Sequence, residues 1–410
     1  MEKRYLLIFI MIVLIFILFN SNYQSQAVRE KGIYDSSQGT KSSIQYITNP
    51  LTEPAPIGLN CDTPQVIDPI TNINVQQGAE FSDNQRYLAW YEFIVGATSN
   101  IALKDLGPDK TFGTPDDGPK IILPSNTNVN YRPDFDGNTI YWASNSVPNI
   151  NIFNRIMSCS ILCITPTQIL SINFLSFPYA AEIKDLSVDN NLVVYTINVY
   201  NTLNGVSVSD DVYLYNINTQ SNTLTYSSPS SVFSSIYDVE INGDYIAFST
   251  VNNVFIYRIS TDILTQVTNS PSGTVTGFPR LADLGSGVYL LMFNQGGTTV
   301  QVNALLINNG ILQPAPYGSP NLNLGDINYD SVQNILRIAY LSTVGIPGIY
   351  NSIGLRLVEL TSGNSYTTVL QNPFTTITDN VMAIGDQNIA FSTFLAPLNT
   401  RIAISKCEIT

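Results

Sequence analysis

The sequence predicts an all-β protein, a seven-bladed β-propeller closed by an N-terminal strand, and three observations support this prediction. The first is a repeat in which a turn rich in Asp, Asn or Gly precedes a short apolar strand that ends in a large side chain. The second is its period, because successive strand ends lie about 45 to 53 residues apart, and strand chemistry at that period is typical of propellers. The third is that no convincing helical pattern follows Phe19.

The repeat predicts the strands of each blade. Its instances are SDNQRYLAW ending at Trp90, FDGNTIYW at Trp142, VDNNLVVY at Tyr195, INGDYIAF at Phe248, LGSGVYLLMF at Phe293, DSVQNILRIAY at Tyr340 and IGDQNIAF at Phe391. Two alternating strands around a polar turn follow, as in residues 211–226 and 353–370, which predicts four antiparallel strands per blade.

We expect Trp90 and Trp142 to belong to the core; stacking on sugars is the alternative.

The last repeat is one strand short, because only one more strand, TRIAISKCEIT, follows Phe391 before the chain stops. The stretch CDTPQVID, residues 61–68, precedes the first repeat and would supply the missing outer strand, which removes an exposed sheet edge. This closure would bring Cys61 beside Cys407. We therefore predict disulfides Cys61–Cys407 and Cys159–Cys163; the alternative is that the four cysteines pair otherwise or stay free. The predicted propeller spans residues 60–410.

The N terminus has the pattern of a secretory signal peptide over residues 1–27. Lys3 and Arg4 precede an apolar run over residues 5–19, and Ser25 and Ala27 supply the small residues of a cleavage site. A retained anchor is the alternative, although the run is short for a membrane span. We expect a secreted, cell-surface protein with no membrane span after cleavage.

Residues 28–59 are predicted to form an extended N-terminal segment or linker. They end in a proline-rich stretch and contain SSIQYITN, residues 42–49, which alternates like a strand. A tethered strand can add to the sheet edge of a neighbouring copy. The alternative is a disordered or spacing tail.

Two of the repeats, INGDYIAFST and GDQNIAFST, resemble the TolB-type and related WD-like propeller repeats of exported proteins. In those repeats an Asp-Gly-type turn precedes a strand that reads roughly IAF. The resemblance covers about residues 60–410 and is degenerate in every blade, since the usual PDG turn is never intact. It implies the propeller fold and says little about partners.

The stretch DLGPDKTFGTPDDG, residues 105–118, stands out in a chain that is poor in charge. We call it the aspartate loop, and we place it between two strands of the first blade. Its four carboxylates, Asp105, Asp109, Asp116 and Asp117, together with glycines that aim carbonyls inward, predict a structural calcium site. The stretch also resembles a loop with Asp-x-Gly-Pro-Asp that occurs in some exported repeat proteins. An ordinary long turn is the alternative.

The composition of the chain argues against several classes of catalytic site and partner. The chain has no histidine, which excludes Ser-His and Cys-His nucleophile pairs and histidine-ligated zinc. Its net charge of −13 argues against nucleic-acid partners. Only 12% of its residues are charged, and such a surface permits packing against neighbours.

The prediction is therefore a non-enzymatic extracellular structural protein, the subunit of a filament or surface layer assembled through its N-terminal segment. Its expected partners are copies of itself or other surface proteins, with carbohydrate as a further candidate. Two alternatives stay open. One is a carbohydrate- or peptide-binding propeller module, and the other is a glycoside hydrolase or lyase.

Overall fold

The computed structural model describes residues 59–67, 74–94, 99–123, 130–145, 153–161, 163, 165–172, 179–203, 206–229, 236, 238–270, 274–296, 300–343, 350–371, 376–396 and 399–409. The predicted signal peptide and the segment with residues 42–49 lie outside this part of the chain. The described residues are almost entirely strands, with one short 3-10 turn at Ile259–Thr261. The all-β prediction is confirmed. No helix among the described residues has the length and apolar character needed to cross a membrane.

Two short strands come first, β1 (Leu59–Cys61) and β2 (Gln65–Val66), and the following strands form consecutive groups. The first group is β3 (Asn74–Phe81), β4 (Tyr87–Ile94), β5 (Ser99–Asp105) and β6 (Lys120–Ile122). The second is β7 (Asn130–Asp136), β8 (Thr139–Ser144), β9 (Arg155–Ser160) and β10 (Thr167–Ser171). The third is β11 (Tyr179–Asp189), β12 (Leu192–Asn201), β13 (Ser207–Asn216) and β14 (Ser221–Pro229). The fourth is β15 (Asp238–Asn242), β16 (Tyr245–Ser249), β17 (Val254–Arg258) and β18 (Ile263–Gln266).

The remaining groups continue the pattern. The fifth is β19 (Val275–Asp283), β20 (Val288–Gly296), β21 (Val300–Asn308) and β22 (Ile311–Pro314). The short β23 (Ser319–Pro320) also pairs with β21. The sixth is β24 (Asn323–Asp330), β25 (Ile335–Thr343), β26 (Tyr350–Glu359) and β27 (Ser365–Gln371). The last is β28 (Thr376–Ile384), β29 (Asn388–Ala396) and β30 (Asn399–Ile409). Each group is an antiparallel meander, which confirms the prediction of four-stranded antiparallel units.

The core lies between adjacent groups. One cluster joins Trp90 of the first group to Ala390 and Ile402 of the last, and another joins Val194 of the third to Phe248 of the fourth. The large residues that end the repeats all lie on second strands and are at most 5% exposed, and they are Trp90, Trp142, Tyr195, Phe248, Phe293, Tyr340 and Phe391. The two tryptophans are thus core residues, as predicted.

The N-terminal strands close the last group. β1 pairs antiparallel with β30 so that Cys61 lies opposite Cys407, and β2 pairs with β30 further along. The disulfides Cys61–Cys407 and Cys159–Cys163 are both present, which confirms the predicted pairing. Residues 61–68 do not form one continuous strand, however. The ladder breaks between Cys61 and Gln65, where Pro64 has no N–H to donate.

Candidate functional site

The first strand of every group faces a shared cavity of about 390 Å³. We call it the central cavity. The strands β3, β7, β11, β15, β19 and β24 contribute these charged residues to its wall: Glu80, Arg132, Asp134, Asp185, Glu240, Arg280 and Asp326. Three further aspartates line it at or just after the ends of first strands, and they are Asp83, Asp189 and Asp283. Carboxylates outnumber guanidinium groups in this wall. No motif in the sequence marks any of these residues as part of a cavity wall.

Irregular register brings several of these side chains to the wall. The pairing register of β3 with β4 shifts between Gln77 and Glu80. That of β19 with β20 shifts between Gly277 and Arg280. β11 and β24 show the same irregularity immediately before Asp185 and Asp326. A bulge of this kind bends a strand and re-aims the side chain that follows it.

Two arginines pair with three of the wall carboxylates. Arg132 Nη1 lies 2.7 Å from Asp185 Oδ1. Arg280 Nε lies 3.3 Å from Asp326 Oδ1, and its Nη1 lies 3.8 Å from Glu240 Oε2. Glu80 has no hydrogen bond or ion pair of this kind among the described residues, although the charge of Arg280 favours its ionised form.

Burial in the wall changes how these groups titrate. Burial, and then the neighbouring carboxylates, raise the pKa of Glu80 well above its usual range. Burial likewise raises the pKa of Glu240 well above its usual range, although Arg280 opposes this. Burial raises the pKa of Asp134 to about 7 and that of Asp326 to about 6. Burial alone would lower the pKa of Arg280, but Glu240 and Asp326 outweigh it, so this guanidinium stays charged.

Some wall carboxylates also hold neighbouring groups together. Asp134 accepts the backbone N–H of Val188 at 2.7 Å, and Asp326 accepts that of Ile384 at 2.9 Å. Asp185 similarly accepts the N–H of Val239. These three carboxylates therefore have a structural role whether or not the cavity binds anything. Glu80 and Glu240 make no such bond within the described part of the chain.

A second set of aspartates links the groups at their turns. We call Asp83, Asp136 and Asp189 the turn aspartates; each lies at the end of a first strand or just after it. They accept the backbone N–H of Gly137, Asn191 and Gly243 of the next group, at 2.8, 2.6 and 2.6 Å. Their spacing of one repeat is visible in the sequence. Because aspartate is common in turns, however, the sequence predicts only a turn at each of these positions. Their partners belong to another repeat, so the local pattern does not reveal the bond.

The aspartate loop connects β5 and β6, as predicted. Arg86 holds Asp105 through two hydrogen bonds of 2.8 Å, and this contact lowers the pKa of that carboxyl. Asp117 accepts the N–H of Gly113 at 2.9 Å and lies 3.6 Å from Lys104 Nζ. Arg86 and Lys104 therefore partly offset the repulsion among the four carboxylates of the loop.

The other two carboxylates of the loop bind within it. Asp109 accepts the N–H of Thr111, and Asp116 accepts the hydroxyl of Thr114 at 2.6 Å. No group of three or more acidic or thiol side chains in the described residues is placed to hold a metal ion. One oxygen, Asp117 Oδ1, is buried and has no hydrogen-bond donor. The calcium site stays a prediction.

The aspartate loop packs across the junction where the chain closes. Phe112 lies against a cluster that contains Ala390 and Ile404 of the last group. Asn388 donates to the backbone carbonyl of Lys110 at 2.6 Å, and Lys110 Nζ lies 3.7 Å from Asp386. The loop therefore ties the first group to the last, beside the pairing of β2 with β30.

No protein-family model matches the chain, and a search of curated proteins finds no similar sequence. Several solved structures, in contrast, are similar to the structure of this chain. Oligogalacturonate lyase in complex with manganese has a TM-score of 0.57 and 7% identity, over 86% of this chain and 97% of that one. The WD40 repeats of RRP9 have a TM-score of 0.53 and 7% identity, over 85% of this chain and 100% of that one. U3-55K has a TM-score of 0.52 and 7% identity, over 84% of this chain and 98% of that one.

The chain has a β-propeller fold. The identities are too low for these likenesses to show more than the fold. The first strands that face the central cavity are therefore the inner strands of propeller blades, and β6, β10, β14, β18, β22 and β27 are the outer strands.

Proposed function

We propose that the protein is an exported, seven-bladed propeller of the TolB or WD-like kind that acts as a non-enzymatic structural subunit at the cell surface. Each copy would donate residues 42–49 to the outer strand of a neighbour, which would build a filament or a surface layer. The observation that carries this proposal is the position of β1. It lies at the outer edge of the last blade, joined there to β30 by Cys61–Cys407, so the described part of the chain begins at the rim.

The rim offers edges that would accept a strand. Within the described residues, β6, β14, β18, β22 and β27 each pair with a single neighbouring strand. They also expose large apolar side chains, among them Leu224 at 50%, Ile263 at 56% and Val369 at 57%. Unpaired edges with apolar side chains favour the addition of another strand.

The N-terminal segment has the reach for such an exchange. The residues between Asn49 and Leu59 span up to roughly 30 Å when extended, at about 3.3 Å per residue. This distance carries the strand-like residues 42–49 beyond the blade that anchors them. Such an exchange is head-to-tail, and head-to-tail contacts that do not close into a ring build filaments.

Deletion of residues 28–58 tests the proposal. We expect the full mature chain to form assemblies that light scattering and electron microscopy detect, and the shortened chain to remain a folded monomer. Tyr46→Pro should block assembly, because proline removes a ladder hydrogen bond. The matched control, Ser37→Pro, lies outside the strand-like run and should assemble normally. A full-length protein that stays monomeric at high concentration contradicts the proposal.

The two alternative functions have their own test. The purified protein is screened on glycans and polysaccharides. Turnover of any of them would establish a hydrolase or lyase, and saturable binding without turnover would favour a carbohydrate-binding module. The structural proposal expects neither.

The calcium prediction is tested separately. It expects about one calcium per chain after dialysis, and a lower melting temperature in chelator, because a ligand that binds the folded state stabilises it. If the Asp109→Asn with Asp116→Asn variant melts like the unaltered protein both in calcium and in chelator, the loop is an ordinary turn.

A further inference from the structure

Natural proteins usually protect the exposed edge strands of their sheets from pairing with another chain. The protections are short length, charged side chains, proline and bulges. Within the described residues, all but one of the propeller's outer strands have at least one of them. β6 has only three residues and carries Lys120, and β18 has four residues. β22 has four residues and ends at Pro314.

The longer outer strands β10 and β14 are protected by bulges. The register of β10 with β9 shifts between Gln168 and Leu170. In β14, Thr225 is an extra residue that has no opposite residue in β13, and the strand ends at Pro229. A bulge interrupts the ladder of hydrogen bonds that an added strand would have to follow. The outer strands of the last blade, β1 and β2, have only three and two residues.

β27 is the exception among these outer strands. It has seven residues, SYTTVLQ, with no charge and no proline. It pairs with β26 without a shift, from Ser365 opposite Val358 to Gln371 opposite Ser352. Among the described residues, β26 is the one strand that pairs with it. Its outer edge is therefore a regular and unprotected template for one more strand.

β27 also has apolar side chains on both of its faces. Tyr366 and Leu370 pack into the cluster that contains Leu59 of β1. Val369 lies on the opposite face, because successive residues of a strand alternate, and it is 57% exposed. A strand added beside β27 would therefore extend the cluster on one face and cover Val369 on the other.

Residues 42–49 have a matching pattern. If they are extended, Ile44 and Tyr46 lie on one face and Ile47 lies on the other. Neither this stretch nor β27 carries a charge, so no repulsion between charged side chains opposes their pairing. We propose that β27 is the edge that receives residues 42–49 of a second copy. This inference rests on the proposed function and identifies its acceptor strand.

The simpler explanation is that the N-terminal segment of the same copy covers β27. The described part of the chain begins beside this strand, since Leu59 and Leu370 belong to one cluster. In that case β27 would be shielded within each copy and would take no part in assembly. Exchange between copies and folding back within one copy predict different cross-links.

The substitution Val369→Lys places a charge on the acceptor strand and tests the proposal. We expect it to raise the protein concentration needed for assembly of the mature chain at least tenfold, as light scattering measures it. Leu224→Lys on β14 is the matched control, because it adds the same charge to an outer strand at a side chain that is 50% exposed. This control should assemble normally. Melting curves check that both variants are folded.

A photo-cross-link identifies the acceptor strand directly. Tyr46 is replaced by p-benzoylphenylalanine, and isotope-labelled and unlabelled chains are mixed before assembly and illumination. We expect mass spectrometry to find position 46 joined to the peptide that contains residues 365–371, in pairs that combine the two labels.

The possible failures of the two proposals are distinguishable. Assembly that Val369→Lys leaves unchanged, or cross-links to a different outer strand, would overturn the assignment of β27 while the proposed function stands. Cross-links to β27 that never combine the two labels would establish folding back within one copy and overturn the assignment as well. A mature chain that does not assemble at all would overturn both proposals.

Discussion

Asp189 and Asp283 occupy comparable turns, yet their carboxylates do different things. Asp189 accepts the N–H of Gly243 in the next blade, whereas Asp283 accepts the N–H of Gly285 in its own turn. The hydrogen bond of Asp283 within one turn replaces a hydrogen bond to water, so it adds little to the stability of the fold. The hydrogen bond of Asp189 joins two blades that otherwise contact each other through side chains. At the scale of single residues, the turn aspartates are therefore blade connectors.

Substitution at Asp189 tests this role. Asp189→Ala leaves the Gly243 N–H without its acceptor, so it should lower the free energy of unfolding by about 1–3 kcal/mol. Asp189→Asn keeps an acceptor and should recover most of the loss. Asp283→Ala is the matched control and should cost less than Asp189→Ala. Urea unfolding measures all three, and equal losses at the two positions would contradict the assignment.

Single residues also show how far the sequence predicts the structure. Trp90 and Trp142 are predictable as core residues because each ends a short apolar strand, which is a local signal. The position of Cys61 beside Cys407 is predictable because the last repeat lacks a strand. Glu80 and Arg280 could not be found in this way. Each follows an irregular stretch of strand, and each meets its neighbours only after the blades have assembled around one cavity.

At the scale of elements, β1 is a three-residue strand that completes a blade from the far end of the sequence. So short a ladder is weak by itself. The disulfide Cys61–Cys407 has a sequence separation of 346, and the loss of loop entropy that it imposes on the unfolded chain is correspondingly large.

Removing this disulfide should destabilise the protein strongly. Cys61→Ser with Cys407→Ser is expected to lower the free energy of unfolding by up to about 5 kcal/mol in the chain-entropy description. Cys159→Ser with Cys163→Ser is the control, because that bond spans a separation of only 4 and should contribute less. Thermal or urea unfolding of the two variants provides the comparison. A larger loss in the control would show that closure by β1 matters little.

The aspartate loop is the second element at the closure. Phe112 anchors it by packing between the first and last blades. Phe112→Ala should lower the free energy of unfolding by roughly 1–3 kcal/mol, less than a fully buried phenylalanine would cost, because the ring is half-buried. Val332→Ala alters a side chain that is 93% exposed and should have almost no effect. Equal stability of the two variants would show that the loop does not support the closure.

At the scale of the whole molecule, the carboxyl groups with raised pKa values set the response to acid. They include Glu80 and Glu240, whose pKa values are raised well above the usual range. They also include Asp134 with a pKa of about 7, and Asp326 and Asp210 with pKa values of about 6. Between about pH 4 and 7 the folded protein therefore binds more protons than the unfolded chain. Stability then rises as the pH falls through this window.

We expect the melting temperature to increase from pH 8 to about pH 4.5 at constant ionic strength. Glu80→Gln with Asp134→Asn and Glu240→Gln should flatten this dependence, which separates the wall groups from the general loss of negative charge. Below about pH 4 the trend should reverse, because Asp105 and Asp244 have lowered pKa values and lose their stabilising contacts on protonation. Circular dichroism melts measure the curve. A melting temperature that falls from pH 8 to pH 4.5 would contradict it.

The bond between Cys61 and Cys407 also decides how the protein would carry mechanical load. Tension applied to residues 28–58 reaches Cys61 and passes through a covalent bond into β30, so it does not peel β1 from the rim. The blades lie inside a covalent loop whose two ends are joined. A pull on the N-terminal segment therefore cannot unwind them one after another. Under tension, such a chain would lengthen only in its tether, and each propeller would act as a rigid link.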